Sequence, residues 1–407
     1  MDGSLNLSQL EALKRRLLPK TSRVGGVRGP PGTGKTSTLI VEVVKAAMDL
    51  GESVFVAAGQ NATADQTLLG IHTLLTERGW PTWMIKRVGN ISKSSDYIRK
   101  TFYAATYDEA KKARIVVSTF HSSYVNTGFQ VLRPEDFDRQ VFDETGQATP
   151  EQAWIPLILL DRSSDSKVSV YGDDKQLLPF SPDWVKELGI LGHLSQKNSG
   201  AVVQLDTSYR LNDGCVDMTS SLFYGGTLNS PPEVRARRLA FTRSPSGPYR
   251  RILDSENPLT YLGVNGQEEN VGYSYKNTGQ ARAVRDVVRE LLELGVEPAR
   301  ITCMAVYRPQ VRAIDAALAG TGVHCSTVHK KLGSENHIAI VSATRANTSR
   351  TMGIASYKEL WNVATTRQSM KLVLVGDSGT TFAEGTPVTR RMFDFIQKKG
   401  TVDHVTF

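Results

Sequence analysis

The residues best suited to chemistry form one glycine-rich segment near the start of the chain. Residues 29–36 read Gly-Pro-Pro-Gly-Thr-Gly-Lys-Thr, a complete Gly-x-x-x-x-Gly-Lys-Thr loop. Such glycines turn backbone N–H groups toward phosphate oxygens, while the lysine contacts the β- and γ-phosphates and the threonine hydroxyl reaches Mg²⁺. The spacing therefore predicts a nucleoside-triphosphate site whose binding residues are Gly32, Thr33, Gly34, Lys35 and Thr36.

The segments on either side of this loop have the periodicity that a phosphate-binding loop requires. Residues 24–27 are an apolar run that predicts a strand, and residues 36–48 predict a helix with Leu39, Val43, Val44 and Ala47 on one face. The positive pole of that helix would point at the bound anion.

Acidic residues and a glutamine follow two later predicted strands. Asp143 and Glu144 end the run 141–142, where one carboxylate would hold Mg²⁺ and the next would orient the attacking water. Gln176 lies in the segment 172–179 after the run 168–171, from which a side chain could contact both the γ-phosphate and the water. A simple Gly-Asp-Asp turn is the alternative interpretation of that segment.

Two series of buried strands predict an α/β fold with two domains of parallel sheet. The first series comprises 54–58, 115–117, 141–142 and 168–171, and the second comprises 202–205, 259–262, 301–306, 324–326, 338–341 and 372–375. Residues 280–294 form an amphipathic helix pattern in the second series. We expect the domains to be 1–200 and 201–407, because one sheet of about a dozen strands would be unusual.

Composition indicates an ordinary globular protein in a reducing compartment. The chain of 407 residues is 40% hydrophobic and 22% charged, with a formal net charge of +8 that modestly favours polyanionic partners. It has three cysteines and no Cys-x-x-Cys pair, which argues against a zinc module or a disulfide framework. No secretory signal or membrane-spanning run is evident, so we expect a soluble monomer in the cytoplasm or nucleus.

Two basic segments leave open whether they bind nucleic acid. Residues 230–251 are rich in Pro, Gly and Arg, and would be either a phosphate-contacting strip or a solvated loop. Residues 69–114 mix Trp80 and Trp83 with Lys and Arg, which suits base stacking but equally suits a helical pair packed on the first domain.

The order of these motifs resembles superfamily 1 helicases, and in detail the subgroup of the nonsense-mediated-decay RNA helicase and senataxin. The resemblance covers nearly the whole chain and implies two tandem RecA-like P-loop domains with ATP in the cleft between them. It adds Gln9 as the residue that recognises adenine. It implies catalytic roles for Lys35, Asp143, Glu144 and Gln176, and Mg²⁺ binding by Thr36 and Asp143.

In the second domain, the resemblance implies two arginine fingers and several nucleotide contacts. Segment 205–210 places Arg210 toward the γ-phosphate and Tyr209 near the adenine, segment 326–335 places Glu335 near the ribose, and segment 362–367 provides Arg367 as the second finger. An arginine of this kind accelerates phosphoryl transfer by roughly 10³ to 10⁵. The nucleic-acid contacts that the resemblance implies are Asn61, Thr63, Ser118, Thr119, Pro179, Tyr307, Arg308, Thr327 and His329.

The resemblance implies an ATP-dependent helicase or translocase on single-stranded RNA or DNA, moving 5′ to 3′. Two departures bear on this expectation: Leu332 stands where the family has Gln, and Gln368 where it has Ala. In the family, this glutamine couples the nucleotide state to how tightly the nucleic-acid strand is bound. The alternative is therefore a nucleotide-gated clamp or scaffold with weak or no unwinding. A third hypothesis is a P-loop ATPase unrelated to nucleic acid, which the motifs of the second domain disfavour.

Overall fold

A computed structural model describes residues 5–17, 24–92, 94–123, 137–146, 148–149, 151–152, 167–177, 179, 189–331, 334–382 and 387–406. The chain divides into two compact units, Met1–Thr207 and Ser208–Phe407. Each unit is built on its own parallel sheet, which confirms the predicted α/β class with two RecA-like domains. Gln147, Leu178, Leu332 and Gly333, which belong to the sequence motifs, lie outside the described residues.

The first unit alternates strands and helices. Its strands are β1 Val24–Arg28, β2 Val54–Ala58, β3 Ile85–Arg87, β4 Ile115–Thr119, β5 Arg139–Asp143, β6 Lys167–Gly172 and β7 Val202–Gln204. Its α-helices are α1 Leu7–Leu17, α2 Val41–Asp49, α3 Asn61–Glu77, α4 Asp96–Thr101, α5 Tyr107–Lys112 and α6 Ile190–Lys197. Short 3₁₀ turns cover Thr82–Met84, His121–Ser123 and Ser199–Ala201.

The seven strands of this unit are all parallel, in the order β3-β4-β2-β5-β6-β1-β7. Alternate residues of β2 bury opposite faces of the sheet: Val54 and Val56 belong to one core cluster, and Phe55 and Ala57 to another. Because both faces are buried, the strands consist of continuous apolar runs, which is why most of them could be predicted.

The strand at 202–205 belongs to the first sheet, not to the second as predicted. Gly26, Val27 and Arg28 of β1 pair with the three residues of β7. A strand with the same β-branched composition fits either sheet, and only this long-range pairing decides between them. The first unit therefore extends to Thr207, a few residues beyond the expected boundary.

The second unit has a larger set of short helices. Its strands are β8 Leu259–Asn265, β9 Glu269–Val271, β10 Ser274–Lys276, β11 Ile301–Ala305, β12 Cys325–Thr327, β13 Asn336–Ser342, β14 Gln368–Gly376 and β15 Thr401–Thr406. Its α-helices are α7 Cys215–Phe223, α8 Pro232–Arg235, α9 Arg250–Leu253, α10 Thr278–Glu293, α11 Arg308–Ala317, α12 Lys358–Ala364, α13 Ser378–Thr381 and α14 Pro387–Lys399. Short 3₁₀ turns cover Pro298–Arg300, Val328–Lys331 and Gly353–Ser356.

Six of these strands form a parallel sheet in the order β12-β11-β13-β14-β8-β15, and β9 and β10 form a separate antiparallel hairpin. Helix α10 packs its apolar face, including Val284, Val287 and Leu291, into the core of the unit against β8, β13 and β14. It begins at Asn277, whose side chain accepts a hydrogen bond from the Gln280 N–H and so caps the helix.

The arginine-rich segment 230–251 is held largely by intramolecular contacts. Arg235 pairs with Asp213 and Asp217, and Arg243 pairs with Glu293. Arg237 donates to the Tyr209 carbonyl, and Arg238 donates to the Arg235 carbonyl. Arg251 lies 3.5 Å from Asp403. The segment also contains two short helices, α8 and α9, instead of the fully irregular course that was expected. These contacts favour a structural role over a phosphate-contacting strip.

Among the described residues, no helix is long and apolar enough to cross a bilayer. The segment 69–114 folds onto the first unit as α4, α5 and β3, with Trp80 packed on the core and Trp83 56% exposed.

Candidate active site

The strand register brings the motifs of the first unit to one edge of its sheet. Ala58, the last residue of β2, is in register with Thr119 of β4 on one side and with Asp143 of β5 on the other. Arg28, the last residue of β1, is in register with Gly172 of β6. Because parallel strands end at the same edge, the loops that follow them share a common rim.

The glycine-rich loop has the backbone geometry that its sequence predicts. Gly32 and Gly34 both have φ of 73°, a left-handed conformation that glycine adopts without steric strain. The Lys35 Nζ donates to the Gly29 carbonyl at 2.7 Å, so the ammonium lies back across the loop. A phosphate oxygen is a stronger acceptor than a neutral carbonyl and would displace this contact.

The helix after the loop begins as a π-helix, whereas the sequence predicted a regular helix from Thr36. Residues Lys35–Ile40 are π-helical, and the Leu39 N–H donates to the Gly34 carbonyl five residues earlier. The predicted apolar face is nevertheless buried, with Leu39 and Val43 fully inaccessible. Single π-turns occur frequently at functional sites, where they adjust the position of a side chain.

Gln9 contacts the phosphate-binding loop and also caps its own helix. The Asn6 side chain accepts from the Gln9 N–H at 2.9 Å, and the Gln9 Oε1 accepts from the Asn6 N–H at 3.0 Å, which is a reciprocal capping box. The Gln9 Nε2 donates to the Thr33 carbonyl at 3.0 Å. An amide has two N–H donors and two acceptor lone pairs, so one of each remains for the complementary edge of an adenine.

Asp143 and Thr36 are brought into direct contact. Asp143 is fully buried at the end of β5, and its Oδ2 accepts from the Thr36 hydroxyl at 2.8 Å. The pKa of Asp143 is raised to about 6, because burial and the neighbouring Glu144 carboxylate raise it more than Lys35 and the Thr36 hydroxyl lower it. A hydroxyl and a carboxylate side by side are hard oxygen donors of the kind that Mg²⁺ prefers, so these residues fit the ion that the motif implies.

The residue after Asp143 has an unusual backbone conformation. Glu144 has φ of 54°, which is uncommon for a residue other than glycine, and its N–H donates to the Asp143 Oδ1 at 2.8 Å. Conformations of this kind are held in place by the surrounding structure and cluster at active sites. The geometry thus presents the Glu144 side chain beyond the end of the strand.

Three glycines allow the loop after Glu144 to pack tightly on the segment after β6. A Cβ atom on Gly146 would lie 2.5 Å from the Asp173 carbonyl oxygen, one on Gly172 would lie 2.8 Å from the Gly146 nitrogen, and one on Gly189 would lie 2.5 Å from the Thr145 carbonyl oxygen. This close approach fixes the acidic loop against the segment that contains Gln176.

Gln176 is buried and oriented by an acidic neighbour. Its Nε2 donates to the Asp173 Oδ2 at 2.9 Å, and 8% of the residue is exposed. The next acid, Asp174, forms a two-point ion pair with Arg28 at 2.5 and 2.9 Å. Because Arg28 directly precedes the phosphate-binding loop, this pair links the loop to the segment of Gln176. Sequence reasoning missed the pair, since the two residues are far apart in the chain.

In the second unit, the two predicted arginine fingers lie near each other. The Arg210 Nε donates to Glu335 at 2.7 Å, and its Nη1 donates to the Thr366 carbonyl at 3.0 Å. The Arg367 guanidinium donates to the Thr366 hydroxyl at 2.9 Å and to the Val363 carbonyl at 3.0 Å. The structure therefore joins three predicted residues, Arg210, Glu335 and Arg367, into one cluster.

The predicted nucleic-acid contacts of the first unit follow β2 and β4 at the common rim. Asn61 and Thr63 lie in the first turn of α3 and are partly exposed, and the Asn61 Oδ1 accepts from Arg87 at 2.7 Å. The Ser118 hydroxyl is buried and donates to the Thr119 carbonyl at 3.1 Å, so this side chain already has a partner. Pro179 is buried in the segment after β6.

The predicted contacts of the second unit follow β11 and β12, which are adjacent and in register at Ala305 and Thr327. Arg308 is exposed as the first residue of α11, and His329 is exposed in the turn after β12. Tyr307 is buried, with its hydroxyl donating to the Met352 carbonyl at 2.9 Å. Tyr307 is therefore packed inside the unit beneath these residues, whereas Arg308 and His329 are exposed to solvent.

The first of the two α/β units carries a glycine-rich phosphate-binding loop at the end of its strand β1. Two models of the AAA domain match the chain, one over residues 4–228 and the other over residues 188–379. The chain belongs to this family, and its relatives include proteins named as ATP-dependent helicases.

Several characterised proteins are similar over nearly the whole chain. The DNA replication ATP-dependent helicase/nuclease JHS1 of Arabidopsis thaliana is 26% identical over 93% of this chain and 29% of its own length. The helicase/nuclease DNA2 of Mus musculus is 27% identical over 91% of this chain and 37% of its own length. The DNA polymerase alpha-associated DNA helicase A of Schizosaccharomyces pombe is 26% identical over 92% of this chain and 64% of its own length. The chain thus spans less than two thirds of each relative.

A solved complex of the arterivirus nonstructural protein 10 helicase with DNA superposes with a TM-score of 0.49 at 14% identity, covering 96% of this chain and 66% of that one. The assignment of the fold stands on the two parallel sheets described above.

Proposed function

We propose that this chain is an ATP-driven motor that moves along single-stranded nucleic acid, 5′ to 3′, and separates duplexes. The observation that carries the proposal is the contact between the Thr36 hydroxyl and the buried Asp143 carboxylate beside Lys35, since it assembles the three groups a triphosphate needs. The relatives are named as DNA helicases, which favours DNA as the strand, while the finer resemblance to the decay helicase and senataxin favours RNA.

The residues of the first unit have separate roles in hydrolysis. Lys35 binds the β- and γ-phosphates, Glu144 orients the attacking water, and Gln176 contacts the γ-phosphate. Thr36 and Asp143 would hold Mg²⁺, which neutralises phosphate charge when bound. Gln9 reads the adenine through the donor and acceptor that its capping contacts leave available.

Arg210 and Arg367 supply positive charge to the γ-phosphate during transfer, and Glu335 and Tyr209 contact the ribose and the base. The Arg210 guanidinium is held at two points, by Glu335 and by the Thr366 carbonyl, so its position is defined before a nucleotide binds. Preorganised charge of this kind is the main contribution to phosphoryl transfer.

The nucleic acid would cross the rims where the parallel strands end. Asn61, Thr63 and Thr119 in the first unit, and Arg308, Thr327 and His329 in the second, are the contacts that we propose there. Pro179, Ser118, Thr119 and Tyr307 are buried, so they would contribute through backbone atoms or by supporting their neighbours.

The decisive experiment compares ATP hydrolysis with and without single-stranded DNA or RNA, side by side. We expect stimulation in the wild type and none in Lys35→Ala or Glu144→Gln. Tailed duplexes with a 5′ or a 3′ overhang then report unwinding and polarity. If the wild type hydrolyses ATP no faster than both variants, the proposal that the chain is an ATP hydrolase is refuted.

A nucleotide-gated clamp is the second candidate, and Leu332 favours it because the family glutamine at this position couples the nucleotide to strand grip. A clamp would hydrolyse ATP and bind the strand without releasing a product strand from either duplex. Restoring the family residue with Leu332→Gln would then create or raise unwinding.

A further inference from the structure

The hairpin of β9 and β10 carries the most exposed large hydrophobic side chain among the described residues. Tyr273 at its tip is 109% exposed relative to a reference peptide, and Val271 beside it is 41% exposed. Ser274 pairs with Val271, so Gly272 and Tyr273 form a two-residue turn. The Tyr273 ring is therefore presented to solvent, where a ligand could reach it.

The turn itself does not require a tyrosine. Gly272 has φ of 63°, and of the two central residues it alone has a positive φ, which fits a type II′ turn with glycine in first place. The second place accepts most residue types, and small polar ones are common there. The fold therefore explains Gly272 but leaves Tyr273 unexplained.

The base of the hairpin is rigidly attached to the unit. The Tyr275 ring lies beneath the Arg345 guanidinium at 4.0 Å and meets the Tyr307 ring edge-on at 5.5 Å. Arg345 is in turn held by a two-point ion pair with Glu268 at 2.8 and 3.0 Å. These contacts order the strands, so little conformational entropy is lost when the tip binds a ligand.

A pair of amide contacts ties the end of the hairpin to helix α11. The Asn277 N–H donates to the Gln310 Oε1 at 2.6 Å, and the Gln310 Nε2 donates to the Asn277 carbonyl at 3.1 Å. Helix α11 also packs against β10. The hairpin is therefore held beside the rim on which Arg308 is exposed.

The charges around the hairpin suit a polyanion. Arg308 and Arg312 are exposed on α11, and the positive pole of this helix lies at Arg308. The acids of the hairpin are engaged internally, because Glu269 pairs with Lys276 at 2.9 Å and accepts from the Thr278 hydroxyl at 2.6 Å. Two apolar side chains are too few for a protein hot spot, whereas one aromatic ring beside arginines is the usual unit of base stacking.

We propose that the β9–β10 hairpin is a base-stacking contact for single-stranded nucleic acid, with Tyr273 as the stacking side chain. The proposal rests on the proposed function and adds a contact to it. Every base offers a π-face, so the contact is tolerant of sequence and acts on DNA and RNA alike.

The test measures the affinity of the full chain for a labelled single-stranded oligothymidine and for its ribonucleotide counterpart. Tyr273→Ala is expected to raise the dissociation constant about 5- to 150-fold for both strands, as loss of one stacked base does. Tyr273→Phe keeps the ring and should stay within about twofold of the wild type. Tyr97→Ala, which removes a half-exposed tyrosine of the first unit, is the matched control and should change nothing.

A positional measurement accompanies the affinities. Photo-crosslinking to a strand containing 5-iodouracil should attach it to the peptide that contains Tyr273. Equal affinities for the wild type and Tyr273→Ala, with strand-stimulated hydrolysis intact, would overturn the hairpin contact alone. Equal losses in Tyr273→Ala and Tyr97→Ala would overturn it too. A wild type that binds neither strand would overturn the proposed function and the hairpin contact together.

Discussion

Replacing Asp143 with asparagine is expected to make the folded protein more stable while it abolishes ATP hydrolysis. Asparagine has nearly the same shape, and its side-chain oxygen can still accept a hydrogen bond. The charge disappears, however, and Asp143 is fully buried with its pKa raised from 3.8 to about 6. At 1.36 kcal/mol for each pH unit, that rise corresponds to about 3 kcal/mol of destabilisation by the charged carboxylate.

The pH dependence follows from the direction of this change. A carboxyl whose pKa is higher in the folded than in the unfolded state destabilises the fold fully when both states are ionised, above about pH 6. The penalty shrinks between pH 6 and pH 3.8, because the folded state takes up its proton first. The advantage of Asp143→Asn should therefore be about 3 kcal/mol at pH 7 and should fade as the pH approaches 4.

Urea unfolding at several pH values, together with ATPase rates, measures both effects. Asp174→Asn is the matched control at the same rim, and it should destabilise by about 1–3 kcal/mol because the Arg28 guanidinium loses its charged acceptor. The reasoning fails if Asp143→Asn is no more stable than the wild type at pH 7, or if its advantage does not change with pH.

Three further predictions concern other parts of the molecule. Gln9→Ala should raise KM for ATP about tenfold or more and leave KM for GTP less affected, since one bidentate base contact is worth about 1–3 kcal/mol; an equal rise for both nucleotides would assign Gln9 to loop support only. Gly146→Ala should destabilise by roughly 1–3 kcal/mol, seen in thermal unfolding, because its Cβ would lie 2.5 Å from a backbone oxygen. Burial lowers the pKa of Lys371 to about 7, so stability should rise with pH between 7 and 10.5 by up to about 1.4 kcal/mol per pH unit. Lys371→Met should remove that slope in urea unfolding, and an unchanged slope would contradict this assignment.

Central strands buried on both faces could be predicted, whereas of the four edge strands of the two parallel sheets only β7 and β12 were predicted, as the runs 202–205 and 324–326. The runs at 54–58 and 338–341 are continuous β-branched and apolar sequences, as central parallel strands require. The edge strands β3 and β15 were missed, because β3 has three residues and β15 is half exposed with polar residues along it. The hairpin of β9 and β10 was likewise not predicted, since its two strands have three residues each.

Features of the candidate site could be predicted where they depend on residues close together in the sequence, and not where they join distant parts of the chain. The loop at 29–36 and the acid after β5 could be located because a short spacing fixes their geometry. The capping box of Asn6 and Gln9 also has a local signal, an N-cap residue followed by glutamine three positions later, but it went unnoticed. The pair of Arg28 and Asp174 joins the ends of β1 and β6, and no local pattern indicates a contact that depends on strand order.

Three unfavourable or replaceable features of the first unit lie at groups that would meet a nucleotide. Asp143 is buried with its charge, Glu144 has a left-handed backbone, and the Lys35 ammonium donates to a carbonyl of its own loop. Each is unfavourable or replaceable in isolation, and the loop that follows Glu144 is packed tightly at Gly146, Gly172 and Gly189. A stability optimum would eliminate such features, whereas a binding site retains them because a ligand of opposite charge converts the same groups into favourable contacts. The clustering of these features at one rim therefore argues for a site shaped by ligand binding more than by folding.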